Sequence, residues 1–220
     1  YLNMAITLDG TTGISSVDGS NASPSVRGSD SNSGILYSAD AIKFSTGGTQ
    51  RAYVDNNGLH SAGHILQVVT VNKTDTASSS AGGGGETAQF MSASITPSSS
   101  SNKVLVIVNA NIGCNTGLGV AIRIWRDGAT PSAGTLNGDS AGSRRYVGSA
   151  DRVYDNTAMT NIHYSYLDSP STTSSTTYGF VGLHQSASTK TITLNYSETE
   201  SDSTAYHRAI SSITLMEVAV

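Results

Sequence analysis

Residues 102–114 read NKVLVIVNANIGC, and this stretch sets the fold class. Val104, Val106 and Val108 point one way while Leu105 and Ile107 point the other, the period-2 alternation of a β-strand rather than the 3.6-residue period of a helix. Both faces are apolar, so the strand is expected to lie centrally and to be covered on two sides. Cys114 closes the run and reads as a small buried hydrophobe; as the only cysteine it excludes an intrachain disulfide framework and a multi-cysteine zinc site.

The flanking sequence repeats the pattern. VAIRIWRDG (120–128) places Val120, Ile122 and Ile124 on one face and Arg123 with Trp125 on the other, then stops at an Asp-Gly turn signal. Before it come LQVVTVNKT (66–74), a Gly/Ser loop ASSSAGGGGE (77–86), and AQFMSASITP (88–97), which Pro97 stops. After it come RRYVGSA, TNIHYSYLD, TTYGFVGLH, KTITLNYSE and AISSITLMEVAV. Roughly eight strands at this spacing, with no credible helix, predict an antiparallel β-sandwich of jelly-roll type over residues 65–220. In the last strand Ile213 and Leu215 share one face while Met216, Val218 and Val220 share the other, and the apolar end suggests pinning in a sheet or at a subunit seam.

Residues 1–64 obey a different rule. MAITLDGTTG, ILYSADAIKFSTGG and TQRAYVDNNG are short alternating pieces broken by Asp-Gly, Gly-Gly and Asn-Gly. Their apolar residues, among them Val17, Ile35, Tyr37, Ile42, Phe44 and Val54, are too few to close a core within one chain. The expectation is an intertwined β-shaft in which three copies bury these faces along a shared axis. Ile35, Ile42, Phe44, Val54, Leu59, Leu215 and Val218 are its expected interface. HSAGHIL (60–66) is the joint, so two domains are expected, 1–64 and 65–220.

Composition limits the function. The 220 residues are 37% hydrophobic and only 13% charged, with 23 glycines, so polarity rests on Ser, Thr, Asn and Gly, as in β-rich, turn-rich chains. The net charge of −4 and the scattered Lys and Arg offer no basic field for nucleic acid. No apolar run reaches the length of a membrane-spanning helix, and the start, YLNMAITLDG, reads as neither signal peptide nor initiating Met.

FSTGGTQRAYVDNNGL (44–59) resembles the Thr-Gly-Gly-Thr-Glu-Arg, hydrophobic, Asp, Gly segments of bacteriophage tail fibres and related virion appendages. ILQVVTVNKTDT, SITPSSSSNKVLV, SYLDSPSTTSSTTY and SSITLMEV are similar to a C-terminal domain of tail-fibre-like proteins from marine and environmental phages. The resemblance covers most of residues 35–220 in the family's order. It implies an all-β homotrimer located on the virion, partnered by tail or capsid proteins and by a host-surface glycan or protein receptor. The chain departs from many such fibres in showing no self-cleaving chaperone constellation after the shaft.

Catalysis is not expected. A hydrolase would need a carboxylate pair or a nucleophile–base pair drawn from Asp151, Asp155, Asp168, Glu198, Glu200 and Asp202, with His163, His184 and His207 as bases. No spacing singles any of them out. SDSNSG (29–34) and DNNG (55–58) lack a full calcium loop and read as Asx turns. For His60 and His64, exposed junction histidines are favoured over ligands of an axial metal in the trimer, and no cofactor is implied. The long polar loop ATPSAGTLNGDSAGS (129–143), flanked by Arg144, Arg145, Tyr146, Arg152 and Tyr154, is the expected ligand-binding region. Tyrosine faces stack on sugar rings while Arg and Asp bind hydroxyls or anions. Two rival readings are a capsid decoration or horn protein and a glycan-degrading tailspike.

Overall fold

The computed structural model describes residues 18–56, 58–115 and 117–220. MAITLDGTTG, Val17 and part of the 55–58 turn therefore lie outside the described residues. Strands and irregular segments account for all described residues, and no helix occurs among them. The chain forms two compact units, one running to Leu66 and taking in Ala219–Val220, the other spanning Gln67–Val218.

The first unit is a five-stranded antiparallel meander: β1 (Val26–Arg27), β2 (Gly34–Ser38), β3 (Ala41–Thr46), β4 (Thr49–Asp55) and β5 (Gly58–Ser61). The Thr-Gly-Gly-Thr sequence forms one of its two-residue hairpin connections. Thr46 pairs with Thr49 across Gly47 (φ 58°) and Gly48 (φ 74°), the two positive φ angles that a two-residue hairpin turn requires. Arg51 Nε donates to Thr46 Oγ1 at 2.9 Å and ties the β4 side of the turn to its β3 side. The strands thus satisfy their backbone groups against one another within a single chain.

The register gathers the apolar residues of this sheet on one face. Val26 lies opposite Ile35, Ile35 opposite Phe44, and Phe44 opposite Ala52. In the adjacent row Tyr37 faces Ile42, Ile42 faces Val54, and Val54 faces Leu59. Ile42, Phe44, Val54 and Leu59 are 39–45% exposed, so this face is open among the described residues. The opposite face carries Leu36, Lys43, Tyr53 and His60 in one row.

The second unit is a sandwich of two antiparallel sheets. One contains β8 (Gln89–Ile95), β13 (Thr176–His184), β10 (Leu118–Arg126) and β11 (Ser149–Val153), adjacent in that order. In the other, β9 (Lys103–Gly113) has β12 (Met159–Asp168) along one edge. Along its other edge lie β14 (Lys190–Leu194) and β15 (Ser211–Val218), end to end. β7 (Ala77–Ala81) and β6 (Ile65–Lys73) pair with these two respectively. Taking β6/β7 and β14/β15 as two interrupted strands, the pairings nest: first with last, β8 with β13, β9 with β12, and β10 with β11. Nested pairing folded into two sheets is the jelly-roll topology.

Side-chain alternation builds the core between the sheets. Val104, Val106, Val108, Ala110 and Ile112 of β9 face Val120, Ile122 and Ile124 of β10, with Tyr178, Phe180, Ile213 and Leu215 among them, all fully buried. Each such Val, Ile or Leu contributes roughly 1.5–3 kcal/mol by leaving water. Cys114 is also fully buried, and burial pushes its thiol pKa up. Two expectations need correction. Leu105 and Ile107 are only half-buried, because β9 is central through its edge neighbours while only one of its faces meets the second sheet. Leu215 is no interface residue: its side chain points into the sandwich of its own chain, and Val218 is the one on the outer, half-buried face.

Two polar pins lock the sandwich. Asn195, wholly buried at φ 69°, sits where β14 ends; its Nδ2 donates to Lys73 O at 2.7 Å and Asp75 O at 2.9 Å, and its Oδ1 accepts from Ser211 Oγ at 2.6 Å. One side chain therefore bridges the β6/β7 break and the start of β15. Glu217, also fully buried, accepts from Ser98 N and Oγ at 2.7 Å, Asn102 Nδ2 at 2.6 Å and Gln67 Nε2 at 2.5 Å. Burial opposes its charge, but these donors together hold its pKa below the ordinary carboxylate range.

Candidate functional site

The loop that follows β10 is ordered by main-chain and amide contacts. Asp127 (φ 53°) and Gly128 (φ 80°) turn the chain, and Arg126 pairs with Ala129 across them. Asn137 then completes the edge of β10: its Oδ1 accepts from Ile124 N at 2.9 Å and its Nδ2 donates to Ile124 O at 2.8 Å, taking the place of a paired strand. Leu136 is fully buried, with its carbonyl accepting from Tyr164 Oη at 2.6 Å. The long loop is thus docked on the sandwich by a buried anchor, and its remaining residues are displayed outward.

The five flanking residues do different things. Arg145 donates to His184 O, and to Gly85 O at 3.3 Å, clamping the loop to β13. Tyr146 lies under Arg123, whose guanidinium carbon is 4.6 Å from the ring centre; Arg123 donates to Tyr146 O at 2.8 Å and pairs with Glu86. Arg152 Nη2 donates to Gly117 O at 2.6 Å. The main-chain N of Arg144 donates to Ala141 O at 3.2 Å while its guanidinium reaches that oxygen only at 3.4 Å, and Tyr154 is 78% exposed. Arg144 and Arg145 line an open groove of about 430 Å³ on the outer face of the β8–β13–β10–β11 sheet. Ala121, Val147 and Leu183 also line it, together with Asp151 and Gln185. Glu86, Leu183 and Gln185 escape sequence reading, since the loop meets β13 only through the nested topology.

Of the candidate catalytic groups, Glu200, Asp202 and His207 line one open pocket of about 410 Å³ together with Tyr206 and Arg208, while Asp151, Asp155, Asp168 and His184 are each held by hydrogen bonds elsewhere. Asp151 accepts from Thr160 Oγ1, and Asp155 accepts from Thr157 N at 2.9 Å and Thr157 Oγ1 at 2.8 Å. The side-chain hydroxyl of Thr160 at Asp151, and the backbone N–H and hydroxyl of Thr157 at Asp155, hold both carboxyls below the ordinary range, opposite to the raised pKa of a proton-donating acid. Asp168, buried, accepts from Arg126 at 2.6 Å and from Tyr178 Oη at 2.7 Å. Glu200 pairs with Arg208 at 2.6 Å in the excursion between β14 and β15. That excursion also carries Glu198, Asp202 and His207. His163 is exposed on β12, and His184 is buried with Nε2 directed at Ala81 O, 2.9 Å away.

In the first unit, His60 stacks on Tyr53 at 4.3 Å between ring centres and bonds Asp55 Oδ1 at 2.9 Å. His64 belongs to the following turn, its N donating to Ser61 O at 3.0 Å. Asp30 Oδ1 accepts from Asn32 N at 3.1 Å, an Asx turn within SDSNSG. Among the described residues no group of three or more His, Cys, Asp or Glu side chains is placed to hold a metal ion.

No family model and no curated protein matches the chain. Among solved structures it is similar to the Gx strain of infectious bursal disease virus, with a TM-score of 0.39 and 13% identity over 89% of this chain and 56% of that one. It is also similar to the VP2 subviral particle of the same virus, with a TM-score of 0.39 and 13% identity over 82% of this chain and 47% of that one. The chain spans about half the length of these structures. Similarity at this level carries no weight for function, and the jelly-roll assignment rests on the strand pairings themselves.

Proposed function

We propose that the chain is a virion structural protein, a homotrimeric tail fibre or comparable appendage that attaches the particle to a host-cell surface glycan. The observation that carries this reading is the open apolar face of the first unit. Val26, Ile35, Tyr37, Ile42, Phe44, Val54 and Leu59 form two continuous rows across five strands, with the large side chains among them left substantially exposed. A sheet with an uncovered apolar face of this kind marks an interaction surface, and a small sheet of this kind gains stability by packing it. Three copies packed face to face around an axis cover the rows with like rows, in keeping with the resemblance of the Thr-Gly-Gly-Thr hairpin to fibre shaft segments. Three sandwiches held together then give multivalent attachment, where weak individual sites add by effective concentration.

The reading is tested by molar mass in solution and by adhesion. Light scattering is expected to give three times the mass of one chain for the full sequence, and the trimer is expected to bind bacterial cells more tightly than the separated sandwich unit. A stable monomer with the same adhesion would remove the fibre reading and favour a monomeric decoration module.

A further inference from the structure

The six arginines of the second unit divide into two groups. Arg123, Arg126 and Arg208 each pair with a carboxylate, that of Glu86, Asp168 and Glu200 respectively. Arg144, Arg145 and Arg152 form no ion pair among the described residues, and the hydrogen bonds they make go to main-chain carbonyls. A carbonyl dipole leaves the guanidinium charge in place, and each guanidinium has five N–H donors of which these contacts use one or two. Arg144 and Arg145 line the groove, and Arg152 is opposite Gly119, which also lines it.

We infer that this groove binds a carboxylate-bearing saccharide, a uronic-acid type of sugar, with Arg144 as the charge-recognising residue. Ala121 and Val147, both part-exposed, supply apolar surface for the CH face of a pyranose ring, with the buried Leu183 beneath them. Gln185 supplies an amide for ring hydroxyls, and Arg144, exposed and weakly held, can meet a carboxylate through two parallel N–H donors. Arg145 adds its charge from behind while it holds the loop to β13. In a chain of net charge −4, the groove sets Arg144 and Arg145 against the one carboxylate of Asp151, which is engaged by Thr160, so its local charge is positive and favours an anionic over a neutral ligand. That the anion is carried on sugar rests on the attachment reading above; the charge selection does not.

The test is a titration of the full chain with an oligogalacturonate, followed by calorimetry or saturation-transfer NMR, with a neutral oligogalactose of the same length as the parallel probe. The oligogalacturonate is expected to bind with a dissociation constant of about 1 mM per site, and binding weakens as salt is raised. Arg144→Glu is expected to lower the affinity about tenfold or more, while Arg208→Gln, away from the groove, leaves it unchanged. Unaltered circular dichroism of Arg144→Glu checks that the loop still folds, and Arg144→Gln gives a neutral second variant. Equal affinity for the two oligosaccharides, or full affinity in both Arg144 variants, overturns the inference while leaving attachment to neutral glycan standing. If neither oligosaccharide binds and the full chain also fails to adhere to cells, the inference and the attachment reading fall together.

Discussion

The two units solve the same problem in opposite ways. Both are built of alternating antiparallel strands joined by tight turns, yet the second folds its strands into two sheets that bury each other's apolar faces. The first remains a single sheet with one apolar face outward. The second has enough strands, and a run such as 104–112 with an unbroken inner face, to close a core; the first has five short strands and no facing layer of its own among the described residues. Alternation fixes which side chains share a face, and the number and length of strands decide whether one chain can cover that face.

The largest test of this contrast concerns assembly. Replacing Phe44 and Val54 by Asp puts two charges on adjacent rows of the open face and is expected to convert the proposed trimer into monomers, with the sandwich still folding cooperatively. Loss of sandwich folding in that double variant would show that the sandwich does not fold independently of the first unit.

Glu217→Gln is expected to cost the sandwich about 2–3 kcal/mol, the scale for weakening hydrogen bonds to a buried charged acceptor and leaving a donor unpaired, read as a lower midpoint in urea. Because the carboxyl of Glu217 is held below its unfolded value, its contribution is fully present above the unfolded pKa and is lost as pH falls through the folded one. The wild-type urea midpoint should therefore drop on acidification, and the Gln variant should show less of that drop.

Asn195→Ala is expected to cost roughly 2–3 kcal/mol, since it orphans acceptors at Lys73 and Asp75 and leaves a non-glycine residue at positive φ. Asn195→Gly relaxes the backbone but loses the same bonds, so it should fall between Ala and wild type. If both variants match wild type, the break in the strand needs no pin.

A smaller effect is expected at Gly179. A Cβ there would meet Trp125 at 2.5 Å on the outer face, where the ring can be displaced toward solvent, and the Met91 carbonyl oxygen at 2.8 Å, which can move only with the paired strand. Gly179→Ala should cost about 1–2 kcal/mol, with a change in Trp125 fluorescence but no change in oligomeric mass.

Much of the strand and turn pattern is legible in the sequence for simple reasons. The strands at 102–114 and 120–128 announce themselves by period 2, and the Asp127-Gly128 and Gly47-Gly48 turns by their demand for positive φ. The nesting is not legible, because nothing in KTITL or SSITLMEV says that the two are one strand interrupted by residues 195–210. Leu215 was misplaced by the same blindness: alternation separates Leu215 from Val218 but cannot say which face turns inward. Glu217 shares the inward face with Leu215 only because three loop donors and Gln67 arrive to receive its charge.

The candidate site shows the division most sharply. Sequence picks out Arg144, Arg145, Tyr146, Arg152 and Tyr154 as a polar cluster after a long loop. It does not show that Tyr146 is covered by Arg123, that Arg145 is a clamp, or that Leu183 and Gln185 complete a groove with Arg144. By itself, then, the sequence determined the β class, the faces of its strands and the turns between them, because these depend on residues within a few positions of one another. The tertiary structure alone decided which faces are inside, which charges are neutralised and which residues share the groove, because those depend on distant strands meeting across the nested pairings.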